Sequence, residues 1–238
     1  MRLLCRSTPR NDSKCFVIGC AKHERRTTKN SIMEYLLYLN ASAEYLNMGI
    51  GNKDEILYQI SGKTIYHSQF IQKYFKNLLE LSKIENKQIK EIILCTGPGS
   101  FTGLRVGTAF AYGLSNSLEI PVFGINKFSI LVNKLDFIEG NIICIINLNR
   151  EQVIMKGYRC KERKCKVILR QTRIRKNEFV AKIKSIKKRR CYFCGEIYKS
   201  ELKILIKNNF KNSIIIPDNA SQINLSDLLT YKSLAKKL

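Results

Sequence analysis

The chain reads as an α/β protein built from two tandem lobes, and three observations carry that reading. Strand-like runs and helix-period segments alternate from Tyr35 to Leu135 in the order βββαβαβα. A reduced order, βββαβα, starts again near Ile142. Between them, a glycine-rich loop turns one strand of the first lobe straight into a helix. Two lobes of similar order suggest a duplicated ribonuclease-H-like unit, the plan of the actin-like ATPase superfold. The lobes are placed at 33–138 and 139–238, with a basic extension, 1–32, outside the fold.

Each element has a local reason. Residues 35–39 (YLLYL), 45–50 (YLNMGI) and 56–60 (ILYQI) are short apolar or alternating runs, and Gly51-Asn52-Lys53-Asp54 is turn chemistry, so the three form a meander. From Ser68 to Leu81, the residues Phe70, Ile71, Tyr74, Phe75, Leu78 and Leu79 keep helical spacing. A strand at 92–96, a helix over 102–118, a strand at 122–125 and a helix over 127–135 complete the first lobe. In the second, strands are expected at 142–148, 152–158, 166–169 and 190–193, and helices at 177–186 and 196–206.

The extension 1–32 is basic, broken by Ser, Thr, Pro and Asn, and without a sustained period. Its run Phe16–Cys20 (FVIGC) superficially resembles a lipoprotein cleavage site, but the apolar stretch is too short for an export signal. Met33, where the strand pattern begins, reads as the ancestral start.

Charge divides the chain more sharply than composition does. The formal net charge is +23, yet residues 33–150 hold 11 Lys and Arg against 10 Asp and Glu, while residues 151–238 hold 23 against 7. A basic second lobe suggests a polyanion, with RNA the first candidate; lysine-rich compositional drift is the bland alternative. Nine cysteines without a secretory signal read as reduced thiols of a cytoplasmic protein. No apolar run approaches the roughly 20 residues of a spanning helix, so no membrane partner is expected.

The loop Gly97-Pro98-Gly99-Ser100-Phe101-Thr102-Gly103 follows a strand and opens a helix. Two glycines flank a proline of fixed φ, which allows a sharp turn. Ser100 or Thr102 can cap the helix. Gly103, Gly107, Ala109, Ala111 and Gly113 keep that helix slim. Strand, glycine loop and helix in this order could also hold a phosphate at the helix start. The loop lacks the Gly-Lys-Ser/Thr ending of a P-loop and the spacing of a dinucleotide site. Residue chemistry therefore favours a packing turn and leaves a phosphate site open.

GPGSFTGLRVGTAFAYGL, followed by IPVFGINKFSIL, strongly resembles the TsaB family, small actin-like-fold subunits of the bacterial machinery that makes threonylcarbamoyladenosine beside the tRNA anticodon. The likeness covers Met33 to about Leu148. It includes Leu39-Asn40-Ala41-Ser42, where the family has an Asp-Thr-Ser-type turn, and His67-Ser68, a pair that opens the family's first long helix. The resemblance implies a non-catalytic scaffold that docks the catalytic paralogue TsaD through Gly97–Gly103, Arg105, His67, Ser68 and the two helices they open. It also implies a TsaE-like ATPase as a further partner, tRNA reached through the complex, ATP and magnesium used by the partners, and a homodimer when the partner is absent.

The chain's own residues agree with a missing catalytic apparatus. Actin-like ATPases place carboxylates at the ends of the first strands of both lobes to organise magnesium; here those places hold Asn40, near Ser42, and Asn147. His23 and His67 are the two histidines and lie far apart in sequence, and His67 reads as a helix-start or packing residue before it reads as a base. The rival readings are a weak ATPase or acyl- or carbamoyl-transfer enzyme, and a free-standing RNA-binding module. Cys160, Cys165, Cys191 and Cys194 invite a zinc reading but offer one CxxC beside a pair of wider spacing and no adjacent His, so ordinary thiols are expected. Lys187, Lys188, Arg189 and Arg190 close the densest basic run and are the candidate RNA contacts, with Arg159–Arg175 a second cluster.

Overall fold

A computed structural model describes residues 15–19, 34–63, 66–186, 190–197, 201–217 and 222–238. It divides into two units. Unit 1 runs to Asn126 and takes in Asn224–Leu238, and unit 2 is Lys127–Ile223.

Unit 1 is built on β2 (Tyr35–Asn40), β3 (Tyr45–Gly51) and β4 (Ile56–Lys63), an antiparallel meander. Helix α1 (His67–Ser82) crosses to β5 (Ile89–Cys95), which lies parallel to β2. Helix α2 (Phe101–Leu118) then crosses to β6 (Val122–Ile125), parallel to β5. The spatial order is third, second, first, fourth, fifth strand. β2 and β5 are near-continuous apolar runs because both of their faces are covered. Tyr74, Phe75 and Leu78 of α1 pack with Leu37, Met48 and Ile60 of the sheet in one core. Phe75 meets Phe110 of α2 edge-on at 5.4 Å, a geometry that adds to simple area burial.

Unit 2 repeats this topology. After α3 (Lys127–Asn133) come β7 (Gly140–Asn147), β8 (Gln152–Lys161) and β9 (Lys164–Arg175), again antiparallel. Then come α4 (Phe179–Lys184), β10 (Cys191–Gly195) parallel to β7, α5 (Leu202–Asn209) and β11 (Ile214–Ile215) parallel to β10. The order is once more third, second, first, fourth, fifth. One strand order appearing twice is the duplicated ribonuclease-H-like plan, so the actin-like architecture expected from the sequence is present. Phe179, Phe193 and Phe210 anchor the second core, with ring centroids 6.2 and 5.7 Å apart in sequence order.

Four features depart from the sequence reading. Within the extension assigned outside the fold, β1 (Cys15–Gly19) pairs antiparallel with β4 and adds an edge strand. The lobe boundary lies earlier than 138/139, because α3 belongs with β7. The C-terminal segment returns to unit 1: α6 (Leu225–Thr230) buries Leu225 and Leu228, and β12 (Lys236–Lys237) pairs with β6. Lys232 adds an ion pair to Glu91. Finally, the cysteines are not all free thiols. Cys160 and Cys165 face each other across the β8–β9 hairpin, Cα atoms 4.1 Å apart, and form a disulfide.

Candidate functional site

The glycine loop is held against the end of β2. Asn40 and Ser42 are buried there, and the Asn40 Oδ1 accepts from the Ser42 amide at 3.1 Å and from its hydroxyl at 2.7 Å. The Cys95 thiol reaches the same hydroxyl at 3.6 Å. From the loop, the Ser100 amide donates to the Ser42 carbonyl at 2.9 Å. A side chain at Gly99 would collide with that carbonyl, and one at Gly103 with the carbonyl of Ala41. Glycine is required here by close approach of two backbones, and at Gly97 also by a φ of +84°.

Ser100 is the cap, its hydroxyl accepting from the Gly103 amide at 3.2 Å, and the Leu104 amide donates to the Ser100 carbonyl. The amides of Ser100 and Gly103 are thus committed to the protein itself, and the turn opposite carries an amide where a metal-binding site would need a charge. These contacts build the loop as a packing turn against the end of β2.

What the loop launches is an unusual surface. Among the 18 residues of α2, Arg105 is the single charged one. Gly103, Gly107 and Ala111 face the sheet, while Phe101, Arg105, Ala109, Tyr112 and Gly113 are exposed on the other side. Phe101 is 73% exposed, and the Arg105 guanidinium lies over its ring at 5.3 Å from the centroid. The exposed side also carries the uncharged polar residues Thr102, Asn116 and Ser117, so the helix is nearly uncharged without being apolar all round. α1 packs beside α2. His67 is buried in its first turn, and Ser68 is exposed next to it.

The second strand end contains what the sequence reading missed. Asn147 lies at the end of β7, and Glu196 just after β10. Glu196 Oε2 accepts from the Asn147 amide at 3.2 Å, and the Asn147 side-chain amide donates to the Glu196 carbonyl at 2.6 Å. A carboxylate does therefore stand at this position. Its other oxygen, however, is held at 2.8 Å by Lys127 Nζ, whose side chain is 5% exposed. The charge is neutralised from within unit 2. A separation of 69 residues hid the pair from sequence inspection. The two strand ends are built alike: the fourth strand of each unit leads to a glycine of positive φ, Gly97 and Gly195.

The four candidate zinc cysteines do not converge. Cys160 and Cys165 bond to each other, Cys191 lies in the core under the helices, and Cys194 faces Cys144 at 3.3 Å across parallel strands. Burial pushes the Cys144 thiol up, and the neighbouring Cys194 adds to the effect. Among the described residues no three His, Cys, Asp or Glu side chains cluster as a metal site. Lys187, Lys188 and Arg189 lie outside the described residues. Arg190 is exposed, with its guanidinium 5.9 Å from the Tyr192 ring centroid. No described helix is long and apolar enough to cross a membrane.

Comparison with known proteins bears on the whole arrangement. The model of the family described as "TsaD: tRNA N6-adenosine threonylcarbamoyltransferase" matches residues 63–198. A tRNA threonylcarbamoyladenosine biosynthesis protein TsaB from Buchnera aphidicola subsp. Schizaphis graminum is 30% identical over 128 residues, 52% of this chain and 60% of that protein. Its counterpart from Buchnera aphidicola subsp. Acyrthosiphon pisum is 25% identical over 202 residues, 83% and 90% of the two chains. Among solved structures, an uncharacterized protein with similarity to peptidase YEAZ from Pseudomonas aeruginosa superposes with a TM-score of 0.62 at 17% identity, over 84% of this chain and 91% of that one. That likeness is one of fold.

Proposed function

Because the chain belongs to the TsaD tRNA N6-adenosine threonylcarbamoyltransferase family, with TsaB proteins as its relatives, we propose that it is the non-catalytic scaffold of a complex that forms threonylcarbamoyladenosine in tRNA. It docks a TsaD-like catalytic subunit through α1 and α2. The catalytic subunit transfers a threonylcarbamoyl group from an adenylate to the adenosine amine beside the anticodon. ATP and magnesium are used by the partners, a TsaE-like ATPase among them, and the tRNA is met in the complex.

The observation that carries this reading is the outer face of α2: one charge in 18 residues, with Phe101 and Tyr112 in the open. Aromatic side chains of this kind, beside an arginine, are the residue types that dominate binding energy at protein interfaces. Exposed small residues at Ala109 and Gly113 allow a partner helix to approach closely. The absence of catalysis in this chain is supported by the strand ends. Asn40 carries no charge, Asn147 carries none, and Glu196 is bound to Lys127. A magnesium ion held between phosphates and protein needs free carboxylate oxygens.

In this reading the isolated chain forms a homodimer through the same face, which the catalytic subunit displaces. The test is co-purification with a TsaD-like subunit, comparing wild type with Phe101→Ala and Tyr112→Ala. Loss of capture in folded variants supports docking through α2. Full retention in both contradicts it.

A further inference from the structure

We propose that the tip of the β8–β9 hairpin binds RNA directly, holding the phosphodiester backbone on two opposed pairs of cations. The inference takes its choice of RNA from the tRNA-modification reading and its surface from the hairpin. Gln152–Arg175 carry nine Lys and Arg against the single acidic residue Glu162, and all of these cations but Lys156 are exposed. By contrast, residues 34–126 hold eight of each sign.

Register makes this more than a basic stretch. Arg159 stands opposite Lys166, and Lys161 opposite Lys164. Directly opposed residues share a face of an antiparallel ladder, as do residues two apart on one strand. The four cations therefore stand on one face, about 5 Å apart across the strands and about 7 Å along them. Like charges directly opposite destabilise a sheet, so this arrangement works against the fold that displays it. Cys160 and Cys165 occupy the rung between the two pairs and point to the opposite face, where their disulfide ties the strands together.

The turn shows the same preference for charge over local ease. Glu162 and Arg163 adopt left-handed φ of 50° and 58°, where a two-residue hairpin turn favours Asn-Gly. Glu162 meets Lys161 at 3.2 Å in full exposure, a pair that solvent and salt screen. Arg159 Nε donates to Asn141 Oδ1 at 3.2 Å, which steadies one side of the guanidinium and leaves the other nitrogens to a ligand.

The hairpin is open to a long partner. β9 is the edge of its sheet, and Arg170, Arg173 and Arg175 continue the charge along 12 residues, roughly 40 Å of extended chain. That length suits a polyanionic strand better than a compact acidic peptide. Val167 is the one large apolar side chain of the hairpin among the exposed ones, too few anchors for a lipid surface.

The experiment measures binding of an unmodified tRNA transcript to the full chain, across a salt series. The variant Arg159→Gln/Lys161→Gln/Lys164→Gln/Lys166→Gln is compared with wild type and with the charge-keeping Arg159→Lys. Removing four phosphate contacts lowers the slope of log K against log salt by about three and weakens binding at least tenfold, while Arg159→Lys keeps the slope. Melting of the quadruple variant stays level or rises, since repulsion is relieved. Unchanged affinity and slope overturn the inference, as does wild-type preference for polyglutamate or for phosphatidylserine vesicles over tRNA. Capture of the TsaD-like subunit by the quadruple variant separates the two claims. Retained capture with lost tRNA binding supports both, whereas lost capture with intact tRNA binding contradicts both the docking role and this one.

Discussion

Replacing Gly103 with alanine tests the packing argument at the glycine loop, because one added methyl has a single obstacle. A Cβ at this position falls well inside 3.0 Å of the Ala41 carbonyl oxygen, a backbone atom that cannot rotate away. Relief requires the loop and the end of β2 to separate by about 1 Å, an overpacking cost of roughly 1–3 kcal/mol. That movement also stretches the Ser100-to-Ser42 backbone hydrogen bond and disturbs the Ser100 cap, each worth about 1 kcal/mol. Alanine regains about 1 kcal/mol of helix propensity. The net expectation for Gly103→Ala is a loss of about 2–4 kcal/mol and a melting temperature lower by roughly 5–15 °C. Gly113 provides the internal control, since nothing stands within 4 Å of its Cβ position on the same helix. Gly113→Ala gains about 0.5–1 kcal/mol and melts slightly higher. Thermal denaturation followed by circular dichroism reads both. Equal shifts of the same sign in the two variants would refute the reasoning.

Phe101→Ala should change stability by less than about 0.5 kcal/mol, its ring being exposed, yet weaken capture of the catalytic subunit at least tenfold in a titration. Glu196→Gln leaves the buried Lys127 cation without its carboxylate and should destabilise by about 2–4 kcal/mol; the double variant with Lys127→Met should cost less than the sum of the two singles in chemical denaturation. Tyr38 is buried and its hydroxyl donates to the Asn52 carbonyl at 2.9 Å. Burial first, then Glu91 and Asp54, push its pKa from 10.0 up to about 12. The folded state then keeps a proton that the unfolded chain releases, so this contribution is complete below pH 10 and is lost as pH rises toward 12. Tyr38→Phe should flatten that part of the stability profile in urea titrations. Cys95, Cys144, Cys191 and Cys194 are buried and should resist alkylation until unfolding, while peptide mapping without reductant should recover Cys160 and Cys165 in one linked fragment.

Legibility in the sequence followed the range of the forces involved. The helices α1 and α2 were readable within a residue or two at their ends, because their apolar period is local and the glycine loop marks where α2 begins. β2, β5 and β7 were equally plain as unbroken apolar runs. β1, β12 and α6 were not, since each is short and owes its existence to a partner far along the chain: β4, β6 and the unit 1 sheet. The disulfide became visible only through hairpin register, because a spacing of five residues fits a turn or a strand pair equally well. At the candidate site, the sequence identified Asn40 and Asn147 and the loop that packs on Ala41 and Ser42 beside Asn40. It did not reveal Glu196, which was assigned to the start of a helix, whereas α5 begins at Leu202. Without that carboxylate, the role of buried Lys127 had no explanation.

The role proposed for this chain is docking without chemistry of its own. Formation of threonylcarbamoyladenosine in tRNA by the TsaD-like subunit, measured with and without this chain in the presence of the other components, tests that most directly. The account predicts little or no product without the chain and restoration when it is added. Full activity of the TsaD-like subunit in its absence would contradict it.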